Sequence, residues 1–81
     1  MRVEVKLPQF GMGQDEGTIL EWMVEVGERV NEGDVLAAIE TAKVEGELEA
    51  PATGEIVEIV VAENETVQTG TVVAVIDAIS G

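Results

Sequence analysis

Along most of this chain, apolar and polar residues alternate with a period of two. Val3, Val5 and Leu7 alternate with Arg2, Glu4 and Lys6, and Leu20, Trp22 and Val24 alternate with Ile19, Glu21, Met23 and Glu25. Val35, Ala37 and Ile39 alternate with Leu36, Ala38 and Glu40. Val44, Gly46, Leu48 and Ala50 do so with Glu45, Glu47 and Glu49. Two later runs are set by Val57, Ile59 and Val61, then by Val72, Ala74 and Ile76. A period of two places each set on one face of a strand. Turn-forming residues separate the runs: Gly27-Glu28, Glu32-Gly33-Asp34, Pro51 to Gly54, Asn64-Glu65 and Thr69-Gly70. No ten-residue stretch shows a capped helical period. The pattern predicts an all-β chain of about eight short strands, an antiparallel sandwich or flattened barrel.

The pattern also repeats. Residues 17–39 align without a gap on 54–76, an offset of 37, with ten identities in 23 positions, among them Gly17/Gly54, Ile19/Ile56, Gly33/Gly70 and Ile39/Ile76. Upstream, the segment ending at Pro8 matches the one ending at Pro51, an offset of 43, so the first half carries six extra residues within 9–14. Two copies are too few for a solenoid. They predict two pseudo-two-fold halves sharing one core, a single domain over residues 1–81.

Composition narrows the function. The formal charge of −13 repels phosphate backbones and anionic membranes, so neither nucleic acid nor a lipid surface is an expected partner. Without cysteine or histidine the chain has no thiol nucleophile, no disulfide and no imidazole base or ligand. A non-catalytic carrier is expected rather than an enzyme. The start has no apolar signal region, and the expected location is the bacterial cytoplasm or the mitochondrial matrix. The alternating glutamates at 45, 47 and 49 read as a solvated strand face, and Trp22 reads as a core residue.

Against seventeen acidic residues stand two lysines and two arginines, and Lys43 sits among Glu40, Glu45, Glu47 and Glu49. Thr41-Ala42 begins a turn that puts Lys43 at an exposed corner, ahead of the strand starting near Val44. By the repeat offset, the equivalent of Lys43 is Ser80 at the chain end. One end of the sandwich thus has a closed turn bearing a lysine, and the other has two loose termini. An exposed ion pair contributes only about 0–1 kcal/mol. Covalent modification of the amine is the alternative.

The stretch "IETAKVEGELEAPATGEI", preceded by "LPQFGMGQDEGTILEWMVEVGERVNEGDVL", resembles a lipoyl domain of the acyltransferase components of 2-oxo acid dehydrogenase complexes, within the biotinyl/lipoyl-attachment family. The resemblance spans Val3 to Asp77. It implies two four-stranded sheets with the cofactor lysine at a hairpin tip, and it maps that lysine onto Lys43 within Glu40-Thr41-Ala42-Lys43-Val44. It also implies (R)-lipoate in amide linkage, attached by a lipoate-protein ligase or a lipoyl/octanoyl transferase. Its partners would be a thiamine-diphosphate-dependent decarboxylase, an acyltransferase core and dihydrolipoyl dehydrogenase, among which the arm carries acyl groups and electrons.

Where the family commonly has Asp before the lysine, this chain has Ala42. The resemblance implies that the attaching enzymes read position at the turn, so attachment is expected to survive. The six-residue insertion is expected beside the hairpin, exposing Phe10 and Met12 as partner contacts, with covering of the core as the other role for Phe10. Glu45 is a candidate for electrostatic partner selection. Biotin carriers have Met on both sides of their lysine, and here the neighbours are Ala42 and Val44. A biotin carboxyl carrier and an unmodified domain of the same fold are the other two functional classes.

Overall fold

Eight strands and no helix make up the computed structural model, which describes residues 1–79: β1 Arg2–Lys6, β2 Glu16–Trp22, β3 Arg29–Val30, β4 Val35–Glu40, β5 Glu45–Glu49, β6 Gly54–Ile59, β7 Thr66–Gln68 and β8 Val72–Ala78. They form two four-stranded antiparallel sheets, ordered β1-β8-β6-β3 and β5-β4-β2-β7. Advancing each strand of the first sheet by half the set gives the second, so the repeat exchanges the sheets. The flattened sandwich foreseen from the alternation is present.

Hydrogen bonds obey the same symmetry. Gly27 N–H donates to Ile56 O at 2.7 Å, and its equivalent Asn64 N–H donates to Ile19 O at 2.6 Å. Both donors have positive φ, 95° and 69°, the left-handed turn conformation in which glycine and asparagine are the least strained residues. Gly33 N–H to Ala50 O and Gly70 N–H to Leu7 O form a second pair.

The core corrects the strict alternation. Each long ladder accommodates one extra residue, at Leu20, Leu36, Val57 and Val73, again two pairs 37 apart. Such a bulge shifts the phase of the side chains. Ile19 and Ile56 are therefore fully buried, whereas Leu20 and Val57 are only half-buried. Leu36 and Ala37 are consecutive and both buried, as are Val73 and Ala74. Trp22 packs partly against the core and donates from Nε1 to Val61 O at 2.8 Å. Val44, grouped by alternation with Gly46 and Leu48, lies before β5 and is exposed.

The termini are not loose as far as residue 79. Ala78 N–H donates to Met1 O at 2.7 Å, and the Met1 ammonium reaches Asp77 Oδ1 at 3.2 Å. Ser80, the expected equivalent of Lys43, lies outside the described residues.

Candidate functional site

Residues 41–44 connect β4 to β5. Thr41 N–H donates to Val44 O at 2.8 Å, the counterpart of the Ala78–Met1 bond. The Thr41 hydroxyl then works in both directions, donating to Val44 O at 2.9 Å and accepting from Val44 N–H at 3.2 Å. The root of the turn is held by three hydrogen bonds within four residues, leaving Ala42 and Lys43 exposed at its crest. Thr41→Val keeps the shape and the β-branch but loses both hydroxyl bonds. It should cost about 1 kcal/mol and speed hydrogen exchange at the Val44 amide. An unchanged exchange rate would show that the clamp does not hold the turn.

Acidic neighbours do not capture the lysine. Among the described residues the one ion pair is Met1 with Asp77, so Lys43 Nζ stays free for reaction. Glu40 and Glu45 face each other across the base of the hairpin, a like-charge pairing that costs stability. Glu45→Gln should therefore stabilise the domain by about 0.2–1 kcal/mol. The gain, followed by denaturant midpoint, should shrink in 1 M salt.

The insertion does lie beside the hairpin. Gln14 fixes it from within: Phe10 N–H donates to Gln14 Oε1 at 2.7 Å, and Gln14 Nε2 donates to Pro8 O at 2.9 Å and Thr69 Oγ1 at 3.3 Å. Of the two roles expected for Phe10, exposed contact and cover for the core, the structure shows the second: it is half-buried against the core, whereas Met12 is 94% exposed. The reason for the burial of Phe10 is Gly46. A Cβ there would come within 2.7 Å of the Phe10 ring, so the glycine leaves the space the ring occupies on β5. An isolated glycine within a strand pattern is a sequence signal for such a close approach. No comparable signal marks Gln14. Between insertion and hairpin runs an open groove of about 760 Å³ whose wall includes Phe10, Met12, Thr18, Glu40, Lys43 and Thr66.

The amine fits an amide-linked cofactor: it is exposed, unpaired and carried on a pinned turn. Glu45 stands one residue past that turn, at the start of β5. Among the described residues, no three acidic side chains cluster in a way that would hold a metal ion. Among the described residues no helix is long and apolar enough to cross a membrane.

Comparison with known proteins agrees with this geometry. The family model described as "Biotin-requiring enzyme" matches residues 3–76. The acetyltransferase component of the pyruvate dehydrogenase complex of Acholeplasma laidlawii is 40% identical over 91% of this chain and 14% of that protein. The acetyltransferase component of the Bacillus subtilis acetoin cleaving system is 38% identical over 94% of this chain and 19% of its own length. The chain thus spans less than a fifth of either relative.

Solved structures point two ways. Kluyveromyces lactis urea carboxylase superposes with a TM-score of 0.78 at 25% identity, over 94% of this chain and 6% of that one. The lipoyl domain of the Azotobacter vinelandii 2-oxoglutarate dehydrogenase complex gives 0.66 at 33% identity, over 86% and 91%. Backbone likeness is greater to the carboxylase and sequence identity is greater to the lipoyl domain, which this chain also matches over nearly its full length. By family model, by relatives and by the sequence around its hairpin, the chain belongs to the biotinyl/lipoyl-attachment family as a lipoyl domain.

Proposed function

We propose that Lys43 carries lipoate through an amide to Nζ and that the domain is itself non-catalytic, presenting this arm to the enzymes of a 2-oxo acid or acetoin dehydrogenase complex. The observation that carries the reading is the free amine at the crest of the clamped 41–44 turn, in a chain whose relatives are dihydrolipoyllysine-residue acyltransferases. When bound, the dithiolane supplies acyl-carrying and electron-carrying chemistry, which this chain has no thiol or imidazole to perform.

The protein's part is placement. Thr41 and the β4–β5 ladder hold the root still while the arm moves, and the tether raises its local concentration at each partner site. Amide formation removes the one cation of the turn, so the hairpin that partners meet is acidic. Met12 and Glu45 are the proposed partner contacts, with Phe10 holding the insertion in place beneath them. Attachment by a lipoate-protein ligase or a lipoyl/octanoyl transferase belongs to the same reading. So do exchange with a thiamine-diphosphate-dependent decarboxylase, an acyltransferase core and dihydrolipoyl dehydrogenase, and a cytoplasmic or mitochondrial-matrix location.

The likeness to urea carboxylase keeps one second reading, a biotin carrier. Intact-mass measurement decides. The chain is incubated with lipoate-protein ligase, ATP and lipoic acid, and in parallel with biotin ligase, ATP and biotin. A single lipoyl-sized gain in the first reaction alone is expected. A gain only in the second would transfer the domain to the carboxylases.

A further inference from the structure

The insertion at 9–14 is the one gap in the alignment of the two halves, and it supplies one wall of the groove beside Lys43. We propose that this groove is a resting site for the lipoyl arm of the same molecule, in its oxidised, uncharged form. The inference rests on lipoylation of Lys43.

Three observations support it. First, Lys43 is part of the groove wall, so the tether has no distance to span. A short flexible tether gives an effective concentration of roughly millimolar. Even a weak intrinsic affinity then yields a substantial docked fraction. Second, the groove is built rather than incidental. Gln14 ties the insertion to Pro8 and Thr69, and the Phe10 ring is seated over Gly46, so one wall is fixed independently of any ligand. Third, charge selects the occupant. Asp15, Glu16 and Glu40 line the groove, and its single cation is the Lys43 ammonium, which amide formation removes. After attachment an anion such as a thiolate or a phosphate-bearing cosubstrate is repelled. A neutral dithiolane on an aliphatic chain is not, and Phe10, Met12 and Val44 offer it apolar surface.

The test uses the domain with no partner present, which separates arm docking from partner binding. Intact mass first establishes the lipoylated state, and failure of lipoylation there would remove the proposed function and this inference together. Amide ¹H–¹⁵N spectra are then compared for the unmodified and lipoylated chains, and for a lipoylated Met12→Asp variant. Met12 is 94% exposed, so the substitution leaves the fold alone and adds a carboxylate at the groove mouth. Lipoylation should shift the amides of Met12, Thr18 and Thr66, far in sequence from the lysine. Those shifts at Thr18 and Thr66 should fall at least two-fold in Met12→Asp. Shifts confined to residues 41–45 in a fully lipoylated sample would overturn docking while leaving attachment intact. Shifts at Thr66 that ignore Met12→Asp would also overturn it, because they would report a change relayed through the hairpin.

Discussion

Lys43→Arg should gain no lipoyl mass under conditions that modify the parent completely, and should unfold at the same denaturant concentration. The two halves of this expectation come from different facts. Attachment needs an amine that can lose its proton and attack an activated acyl group, and a guanidinium remains protonated at any working pH. Stability should hold within about 0.5 kcal/mol because the residue is exposed and makes no ion pair, and the turn beneath it is clamped by Thr41 and Val44 alone. Intact mass and a denaturant titration on the same sample check both. Lipoyl mass on the variant would place the arm on another amine, of which Lys6 and the chain terminus are the remaining ones. A large loss of stability would mean that Lys43 has a structural role that its surroundings do not show.

Gly54→Ala should destabilise the domain by about 3 kcal/mol, near the top of the range for overpacking and a large part of the roughly 4–12 kcal/mol such a chain has in all. A Cβ at Gly54 would collide with the Asp77 carbonyl oxygen, and it would lie 2.8 Å from Asp77 C and 2.9 Å from Ala78 Cα. These are backbone atoms of β8, the strand that pairs with β6 through Gly54 and Ala78, so relief requires the ladder itself to open. The repeat supplies a control. At the equivalent Gly17 the nearest atoms are side-chain methyls, Leu7 Cδ2 at 3.2 Å and Ile39 Cγ2 at 3.3 Å. Methyls can shift, so Gly17→Ala should cost about 1 kcal/mol. Chemical denaturation of the two variants side by side measures the difference. Equal losses would mean that the β6–β8 ladder yields as readily as a pair of methyl groups.

Most of the architecture and the position of the lysine could be read before any coordinates. The repeat carried the pseudo-two-fold relation of the halves, although the exchange of sheets needed the strand order. The glycines of the turns carried the connections, because a left-handed backbone narrows the choice of residue sharply. The lysine stood out because an isolated cation in an acidic hairpin has little electrostatic reason to be there. What escaped is equally specific. The bulges at Leu20, Leu36, Val57 and Val73 leave no mark on composition, since an extra apolar residue in an apolar run is invisible until the partner strand is known. Strands β3 and β7, two and three residues long, are too short to show a period. For Phe10 the sequence leaves exposure and core covering both open, because its burial depends on a missing side chain elsewhere, at Gly46.

The bond from Ala78 N–H to Met1 O matches the bond that closes the lysine turn, 2.7 Å against 2.8 Å. In hydrogen-bonding terms the two ends of the sandwich are closed alike, and only the lysine end is also closed by a covalent turn. Joining Ile79 to Met1 through a short linker and cutting the chain between Ala42 and Lys43 would transfer the free ends to the present hairpin. A lysine set into the new junction would then be the one amine presented on a closed turn. The fold has two candidate addresses for an arm, and the position of the cut selects the one in use.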